Sequence, residues 1–167
     1  MGYTKQHYQM LRAQLRQSAE ANVKDKDGTL QTVYHSLFGT IRVYAIKDYP
    51  ADGNQNLGVV VGTDDTAPTP TDYKLVTQIA HGTGAGQLQY GGNSVVVNTT
   101  ATKSQMSITR TFTNGSGASI TVKEVGLYLL NYNGTGESYF CVIRSLNNFT
   151  VPDGESRTVE ILLEATA

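Results

Sequence analysis

Three histidines and one cysteine are the side chains with the most obvious chemical potential. His7, His35 and His81 lie far apart in the sequence and show no spacing typical of metal ligands. Cys141 is the one cysteine, which excludes an internal disulfide and a zinc site built from several cysteines. Because it lies in the apolar run YFCVIRS, we expect a buried, unreactive thiol. These residues therefore predict neither a metal site nor a covalent catalytic centre.

Two loops carry residue types that bind ions in other proteins. The proline-rich loop TDDTAPTPTDY, residues 63–73, holds Asp64, Asp65 and Asp72, but it lacks the spacing and final glutamate of a calcium loop. Turn capping is the simpler role for these carboxylates. The segment HGTGAG, residues 81–86, is rich in glycine, yet no Lys-Ser/Thr pair follows it as a phosphate loop requires. We find no nucleophile with a base beside it, and we predict no enzyme and no cofactor.

One amphipathic helix is predicted near the N-terminus, over residues 4–22, with Thr4 as a suitable N-cap. Apolar side chains recur at steps of three and four residues, which places them on one stripe: Tyr8, Leu11, Leu15 and Ala19. Basic side chains occupy the other side: Lys5, Arg12 and Arg16. Such a helix suits docking on an acidic partner or on packaged nucleic acid. The pattern favours packing against the chain's own sheet with a solvated basic face, and both interpretations stay open.

The rest of the chain is patterned as short strands and turns. GVVVG at 58–62 predicts a buried strand, whereas KLVTQIA at 74–80 fits either a strand or a helix. In SQMSITRTF the side chains on one predicted face are Met106, Ile108 and Phe112. The segment ITVKEVGLYLL follows the turn TNGSGAS and is predicted to be the hairpin partner of that strand. RTVEILLEA closes the chain with three side chains on one face: Val159, Ile161 and Leu163.

Together these patterns predict a mainly β protein, an antiparallel β-sandwich of Ig-like or jelly-roll-like type, with one N-terminal amphipathic helix. We divide it into a helical arm at 1–24, a hairpin and loop extension at 25–57, and a β-sandwich domain at 58–167. The extension begins with a turn at Asp27-Gly28.

Composition limits the classes of partner. The formal net charge is −1, so we expect no general attraction to nucleic acid. No apolar run approaches the roughly 20 residues that span a bilayer, and the first residues lack a signal-peptide pattern, which predicts synthesis in a cytoplasm without a membrane partner. Only 16% of residues are charged, while tyrosine occurs ten times and tryptophan never. Tyrosine is typical of protein contacts and also lines carbohydrate sites, for which the candidates are Tyr90, Tyr128, Tyr132 and Tyr139.

Three segments carry a resemblance to a known class of protein: VVVGTDDTAPTPTDYKL at 59–75, RTFTNGSGASITVKEVGLYL at 110–129, and VPDGESRTVEILLEA at 151–165. Their order and spacing resemble small β-sandwich structural proteins of tailed-bacteriophage virions, of neck, tail or baseplate type. The resemblance covers about residues 58–165. It implies repeated subunit contacts in a ring within the virion, with other copies of the chain and with portal, tail or capsid proteins. Capsid decoration is one alternative, and a carbohydrate- or receptor-binding module is another.

The resemblance also implies a structural clasp between the proline-rich loop and the strand that follows residue 120. Its residues would be Gly62, Pro68, Asp72, Leu75, Glu124, Gly126, Leu127 and Tyr128. Glu124 would accept hydrogen bonds from backbone amides of the loop, Gly126 would mark a bulge or a close approach, and Tyr128 would cover the loop with Leu130. The resemblance does not reach the first 57 residues. From its own amphipathic pattern the helix is predicted to act as an assembly arm, through Lys5, Tyr8, Leu11, Arg12, Leu15 and Arg16.

Overall fold

The computed structural model describes residues 2–16, 20–33, 43–44, 52–132 and 136–166 of the chain. The described part is mainly β, with antiparallel sheets and one short helix. The elements in chain order are β1 (Gly2–Tyr3), α1 (Lys5–Arg16), β2 (Glu20–Lys24), β3 (Leu30–Val33), β4 (Val43–Tyr44), β5 (Gly58–Gly62), β6 (Gln89–Thr99), β7 (Lys103–Thr113), β8 (Ile120–Tyr132), β9 (Glu137–Val151) and β10 (Ser156–Thr166).

The strands form three sheets. In the five-stranded sheet the order is β1-β9-β8-β4, and β5 pairs with another part of β8. The three-stranded sheet has the order β10-β7-β6, and β2 pairs with β3 in a small hairpin. One buried hydrophobic cluster contains side chains from both larger sheets, including Val59 and Leu127 from the first and Ile108, Phe112 and Ile161 from the second. The two larger sheets therefore share one core.

The predicted hairpin of residues 104–112 with 120–130 is wrong. β7 pairs with β6 and β10, whereas β8 pairs with β9, so the chain changes sheet between residues 113 and 120. The side chain of Asn114 is fully buried at this corner and donates to the carbonyl oxygens of Ala118 and Val151, at 2.8 and 2.7 Å. These bonds satisfy backbone groups that a hairpin turn would pair differently, and they hold the crossing next to the second crossing at residues 152–155.

The predicted helix over 4–22 is too long, because α1 ends at Arg16 and residues 20–24 form β2. Thr4 precedes the helix as predicted, but its hydroxyl donates to the carbonyl oxygen of Cys141, at 2.6 Å, and so ties the helix start to β9. The helix buries Gln6 and Met10 against the rest of the chain. Ala19 and His35 lie outside the described residues, as do the side chains of Leu15, Arg16 and Tyr132. With 12 residues, α1 cannot cross a membrane, and the described part of the chain holds no other helix.

Several local predictions are confirmed. The turn at Asp27-Gly28 joins β2 to β3, and Gly28 has a φ of 86°, which favours glycine. GVVVG forms β5, and all five of its residues are buried. The alternation in the last strand holds, since Val159 and Ile161 are buried and Leu163 packs against the same cluster. KLVTQIA forms neither helix nor strand, apart from an isolated bridge at Gln78.

Candidate functional site

The strand β8 supplies the centre of the site. It pairs with β5 so that Glu124 lies opposite Gly62, and Gly126 opposite Val60. On its other side β8 pairs with β9, which places Arg144 opposite Gly126. Successive side chains of a strand alternate between faces, so Glu124 and Gly126 lie on one face of the sheet. The chain that follows β5 crosses this face as the proline-rich loop and residues 74–80.

Glu124 is fully buried and has its charge satisfied by three donors. Its Oε1 accepts a hydrogen bond from the backbone N–H of Thr77 at 2.8 Å, and its Oε2 accepts one from Val76 at 3.1 Å. The third donor is the Nε of Arg144, also at 2.8 Å. The amides that Glu124 binds thus lie directly after the proline-rich loop, not within it. A buried carboxylate that accepts hydrogen bonds from two amides and a guanidinium is a structural anchor.

Arg144 connects this anchor to the loop itself. Its Nη1 donates to the Oδ2 of Asp72 at 2.7 Å, and its Nη2 donates to the carbonyl oxygen of Thr66 at 2.9 Å. The side chain is 1% exposed, and the more exposed Asp64 lies 3.9 Å from Nη2. We call Glu124, Arg144 and Asp72 the charged pin. The pin fastens the loop to the five-stranded sheet through three elements distant in sequence.

Electrostatics keeps Asp72 and Arg144 ionised. Burial by itself would raise the pKa of Asp72, but hydrogen bonds from Thr69 and Arg144 outweigh it, and the pKa falls below its ordinary value. Burial would likewise lower the pKa of Arg144, but the hydrogen bonds to Glu124 and Asp72 outweigh it and raise that pKa. Both groups therefore carry their charges at neutral pH.

Gly126 and Gly62 leave space for the pin and the segment above it. A Cβ atom at Gly126 would lie 2.9 Å from the Cδ2 of Leu75, and one at Gly62 would lie 2.5 Å from the Oε1 of Glu124. Close approach is thus the reason for glycine at residue 126, and the nearby register shift of β8 against β9 falls between Leu127 and Tyr128. The site needs glycine here because any side chain would displace Leu75.

The remaining residues of the predicted clasp occupy different positions. The phenol oxygen of buried Tyr128 accepts a hydrogen bond from the backbone N–H of Leu75 at 2.8 Å. Leu127 is buried within the hydrophobic cluster. Pro68 is exposed, and the loop is held by Asp72 and by the carbonyl oxygen of Thr66, which both accept hydrogen bonds from Arg144. Sequence reasoning missed Arg144, although a lone arginine in the apolar run YFCVIRS is a signal that it is buried with a partner.

A second buried arginine, Arg110 of β7, links the three-stranded sheet to β5 and to the residue before it. Arg110 donates from Nε to the carbonyl oxygen of Gly91 at 2.7 Å, and from Nη1 to those of Leu57 and Val59 at 3.0 and 3.1 Å. Its guanidinium carbon lies 4.7 Å from the ring centre of Tyr90. Burial lowers the pKa of Arg110 to about 10 and raises that of Tyr90 to about 12. The sequence signal was its alternation with Ile108 and Phe112, which points it inward.

Three of the side chains first considered for chemistry, His7, His81 and Cys141, are engaged in structure. The Nδ1 of His81 accepts a hydrogen bond from the backbone N–H of Tyr90, and His7 packs between the rings of Tyr3 and Tyr8. Cys141 is fully buried as predicted, and burial raises the pKa of its thiol. Across the described ranges, no group of three or more His, Cys, Asp or Glu side chains is placed to hold a metal ion.

The glycine-rich segment 81–86 and two of the proposed sugar-binding tyrosines also have structural roles. The N–H of Gly84 donates to the side chain of Gln87, and the segment leads into β6 instead of a helix, so it lacks the architecture of a phosphate loop. Tyr90 and Tyr128 are 2% and 1% exposed, which leaves neither ring free to stack on a sugar. Tyr139 is partly exposed.

Comparisons of the chain with family models, curated proteins and solved structures found no match. The geometry of the described residues is that of a well-anchored scaffold: a buried charged pin, a loop fixed over a sheet, and a core shared by two sheets.

Proposed function

We propose that this chain is a structural protein of a tailed-bacteriophage virion, whose copies make repeated contacts in a neck, tail or baseplate ring. In this proposal the two larger sheets form a β-sandwich of Ig-like or jelly-roll-like type, and the chain is not an enzyme. Its partners are other copies of itself and neighbouring portal, tail or capsid proteins. It is made in the host cytoplasm and resides in the virion. The resemblance of residues 58–165 and the core shared by the two sheets support this proposal.

One observation carries the proposal furthest, namely the outward face of α1. Tyr8 and Leu11 are 59% and 41% exposed, although they belong to the apolar stripe of the helix. Tyr3 lies beside them, with its ring centre 6.3 Å from that of Tyr8. Together with Lys5 and Arg12 we call these residues the outer helix patch.

The outer helix patch has the composition of a protein-contact surface. Tyrosine and arginine are enriched at interfaces because they bring large area together with a polar group. Lys5, Tyr8 and Arg12 also line a groove of about 410 Å³ whose opposite wall is Pro70 and Thr71 of the proline-rich loop. The helix is tied to its own sheet through Thr4 and Met10, so the patch is a fixed surface and not a free arm. Its two basic side chains favour an acidic neighbour.

The experiment is reconstitution with the neighbouring virion proteins, read out by particle imaging. The double variant Tyr8→Ser/Leu11→Ser should keep the fold, because both side chains are exposed, and should fail to join the particle. The matched control is Leu30→Ser on β3, which is 61% exposed and lies outside the patch. Equal incorporation of wild type and double variant would contradict the role of the patch.

The same images distinguish capsid decoration from the proposed role, because they show whether the protein lies on the capsid or in the neck, tail or baseplate. A wild-type protein that joins no particle but binds a glycan on an array, or turns over a substrate, would overturn the proposed function.

A further inference from the structure

Within the part of the chain that the structure describes, the outer edge of β6 has no partner strand over residues 94–99, and these residues carry no charge. Among the described residues β6 pairs only with β7, from Ser94 opposite Thr109 to Thr99 opposite Ser104. In an antiparallel strand alternate residues direct their N–H and C=O groups to opposite sides, so half of these groups point away from β7. Val96 and Val97 are 58% and 66% exposed there. We call residues 94–99, SVVVNT, the β6 edge.

Two other open edges of the larger sheets, those of β10 and β9, are protected. β10 carries Glu160 and Glu164 along its length, and Glu164 forms an ion pair with Lys103 at 3.2 Å. The part of β9 that extends beyond β1 contains a register shift against β8, at residues 146–149. Charges and bulges are the usual means by which proteins prevent strands from adding to a sheet edge. The β6 edge contains no charge, no proline and no bulge over six residues, and three of these are β-branched valines.

We propose that the β6 edge pairs with the β6 edge of a second copy of this chain, in antiparallel orientation, to make one six-stranded sheet across two copies. An exposed edge of backbone donors and acceptors is satisfied by another strand, and the β6 edge is self-complementary because two identical antiparallel strands match each donor with an acceptor. No like charges meet in this pairing, whereas two copies of β10 would bring Glu160 and Glu164 together. The inference rests on the proposed function as an assembling protein and adds a two-fold contact that joins copies in pairs, beside the contacts that repeat around a ring.

The composition of the edge also indicates a register. A two-fold axis through Val96 places Val96 opposite Val96 of the second copy, and Val95 opposite Val97 of the second copy. All three central positions then form cross-strand valine pairs, which β-branched side chains favour. Directly opposed residues have Cα atoms about 4.5–5.5 Å apart, which is within the range that a disulfide can bridge.

A cysteine at residue 96 tests this register. Purified Val96→Cys should form a covalent dimer under mild oxidation, because the two thiols face each other across the axis. Val97→Cys is the matched control on the same strand: in this register its two copies lie diagonally apart and beyond disulfide reach. Leu162→Cys on β10, 40% exposed, is the control for random collision. The natural Cys141 is fully buried and does not compete.

A covalent dimer at Val96→Cys, or at another single position of residues 94–99, supports edge pairing, and the position gives the register. Cross-linking that is equally weak at every position of the edge and at Leu162→Cys overturns it.

Sedimentation of the uncross-linked protein supplies an independent measurement. Wild type should associate as its concentration rises, and Val96→Lys should weaken that association by about tenfold or more, because two lysines would meet across the axis. Leu162→Lys should leave the association unchanged. A wild type that stays monomeric at all concentrations, or a Val96→Lys variant that associates like wild type, overturns the edge pairing.

The outcomes separate this inference from the proposed function. A protein that pairs through the β6 edge but joins no virion particle keeps the inference and loses the virion role. A protein that joins particles equally with and without Val96→Lys, and never cross-links at the edge, keeps the virion role and loses the inference.

Discussion

Removing Arg144 should release the loop that the charged pin holds. Arg144→Met keeps the length and the apolar stem of the side chain but removes all of its donors. Glu124 would then be left as a fully buried carboxylate without its counter-ion, and the carbonyl oxygen of Thr66 and the carboxylate of Asp72 would each lose a donor.

The expected loss of stability depends on the hydrogen bonds that Glu124 and Asp72 keep when Arg144 is removed. Breaking a buried ion pair by removing one partner costs about 3–5 kcal/mol of the free energy of unfolding. Glu124 retains hydrogen bonds from the amides of Val76 and Thr77, and Asp72, whose side chain is 20% exposed, can regain water. We therefore expect a loss at the lower end of that range, about 3 kcal/mol. Arg144→Lys should lose less, because an ammonium keeps the charge but cannot reach all three acceptors at once.

The assay is urea unfolding followed by far-ultraviolet circular dichroism, because the chain contains no tryptophan for fluorescence. A double-mutant cycle with Glu124→Gln should give a coupling of about 1–3 kcal/mol between the two side chains. Lys123→Met is the matched control: it breaks the exposed ion pair with Asp65, and exposed pairs contribute little to stability. The reasoning is refuted if Arg144→Met is no less stable than Lys123→Met, or if the cycle shows no coupling.

Three further outcomes follow from the same contacts. Gly126→Ala should lower the free energy of unfolding by about 1–3 kcal/mol, because its methyl group would overlap Leu75, and adding Leu75→Val should recover part of the loss. Since the folded-state pKa of Asp72 is lowered from 3.8, its contribution to stability is complete above that pH and disappears as the pH falls through the lowered value, so urea unfolding at a series of acidic pH values should show the difference between wild type and Asp72→Asn shrinking. Cys141 should react with a thiol reagent in the unfolded protein but not in the native one, which a colorimetric thiol assay measures.

Local sequence patterns were enough to predict strands and turns, but not which strands pair with each other. Alternation placed Ile108 and Phe112 inward, and the Asp27-Gly28 turn was recognisable from two residues, because both depend only on neighbouring residues. The pairing of β7 depends on the corner that Asn114 builds with residues 118 and 151, which lie 4 and 37 positions away. A short polar segment between two strands was read as a hairpin because nothing local distinguishes it from a change of sheet.

For the helix, the sequence predicted the element but not the face that it buries. The sequence predicted a helix here, but two members of its predicted apolar stripe, Tyr8 and Leu11, face outward. Gln6 and Met10 face the core instead. Periodicity identifies an apolar face of a helix, but it does not show which face packs against the sheet. Here the tertiary contacts of Thr4 with β9 decide the orientation of the helix.

In the proposed assembly role, the charged pin matters because it fixes the proline-rich loop, whose Pro70 and Thr71 form one wall of the groove beside the outer helix patch. The carbonyl oxygen of Pro70 accepts a hydrogen bond from the backbone N–H of Lys5 at 2.7 Å, so the loop and the start of α1 are joined directly. Two residues further on, Asp72 is held by Arg144. A loop that is ordered before a partner arrives does not lose conformational freedom on binding, which leaves more of the contact free energy for affinity. If the patch is a contact surface as proposed, the buried ions support it from a distance, because Arg144 holds the irregular backbone of the loop through Asp72 and Thr66.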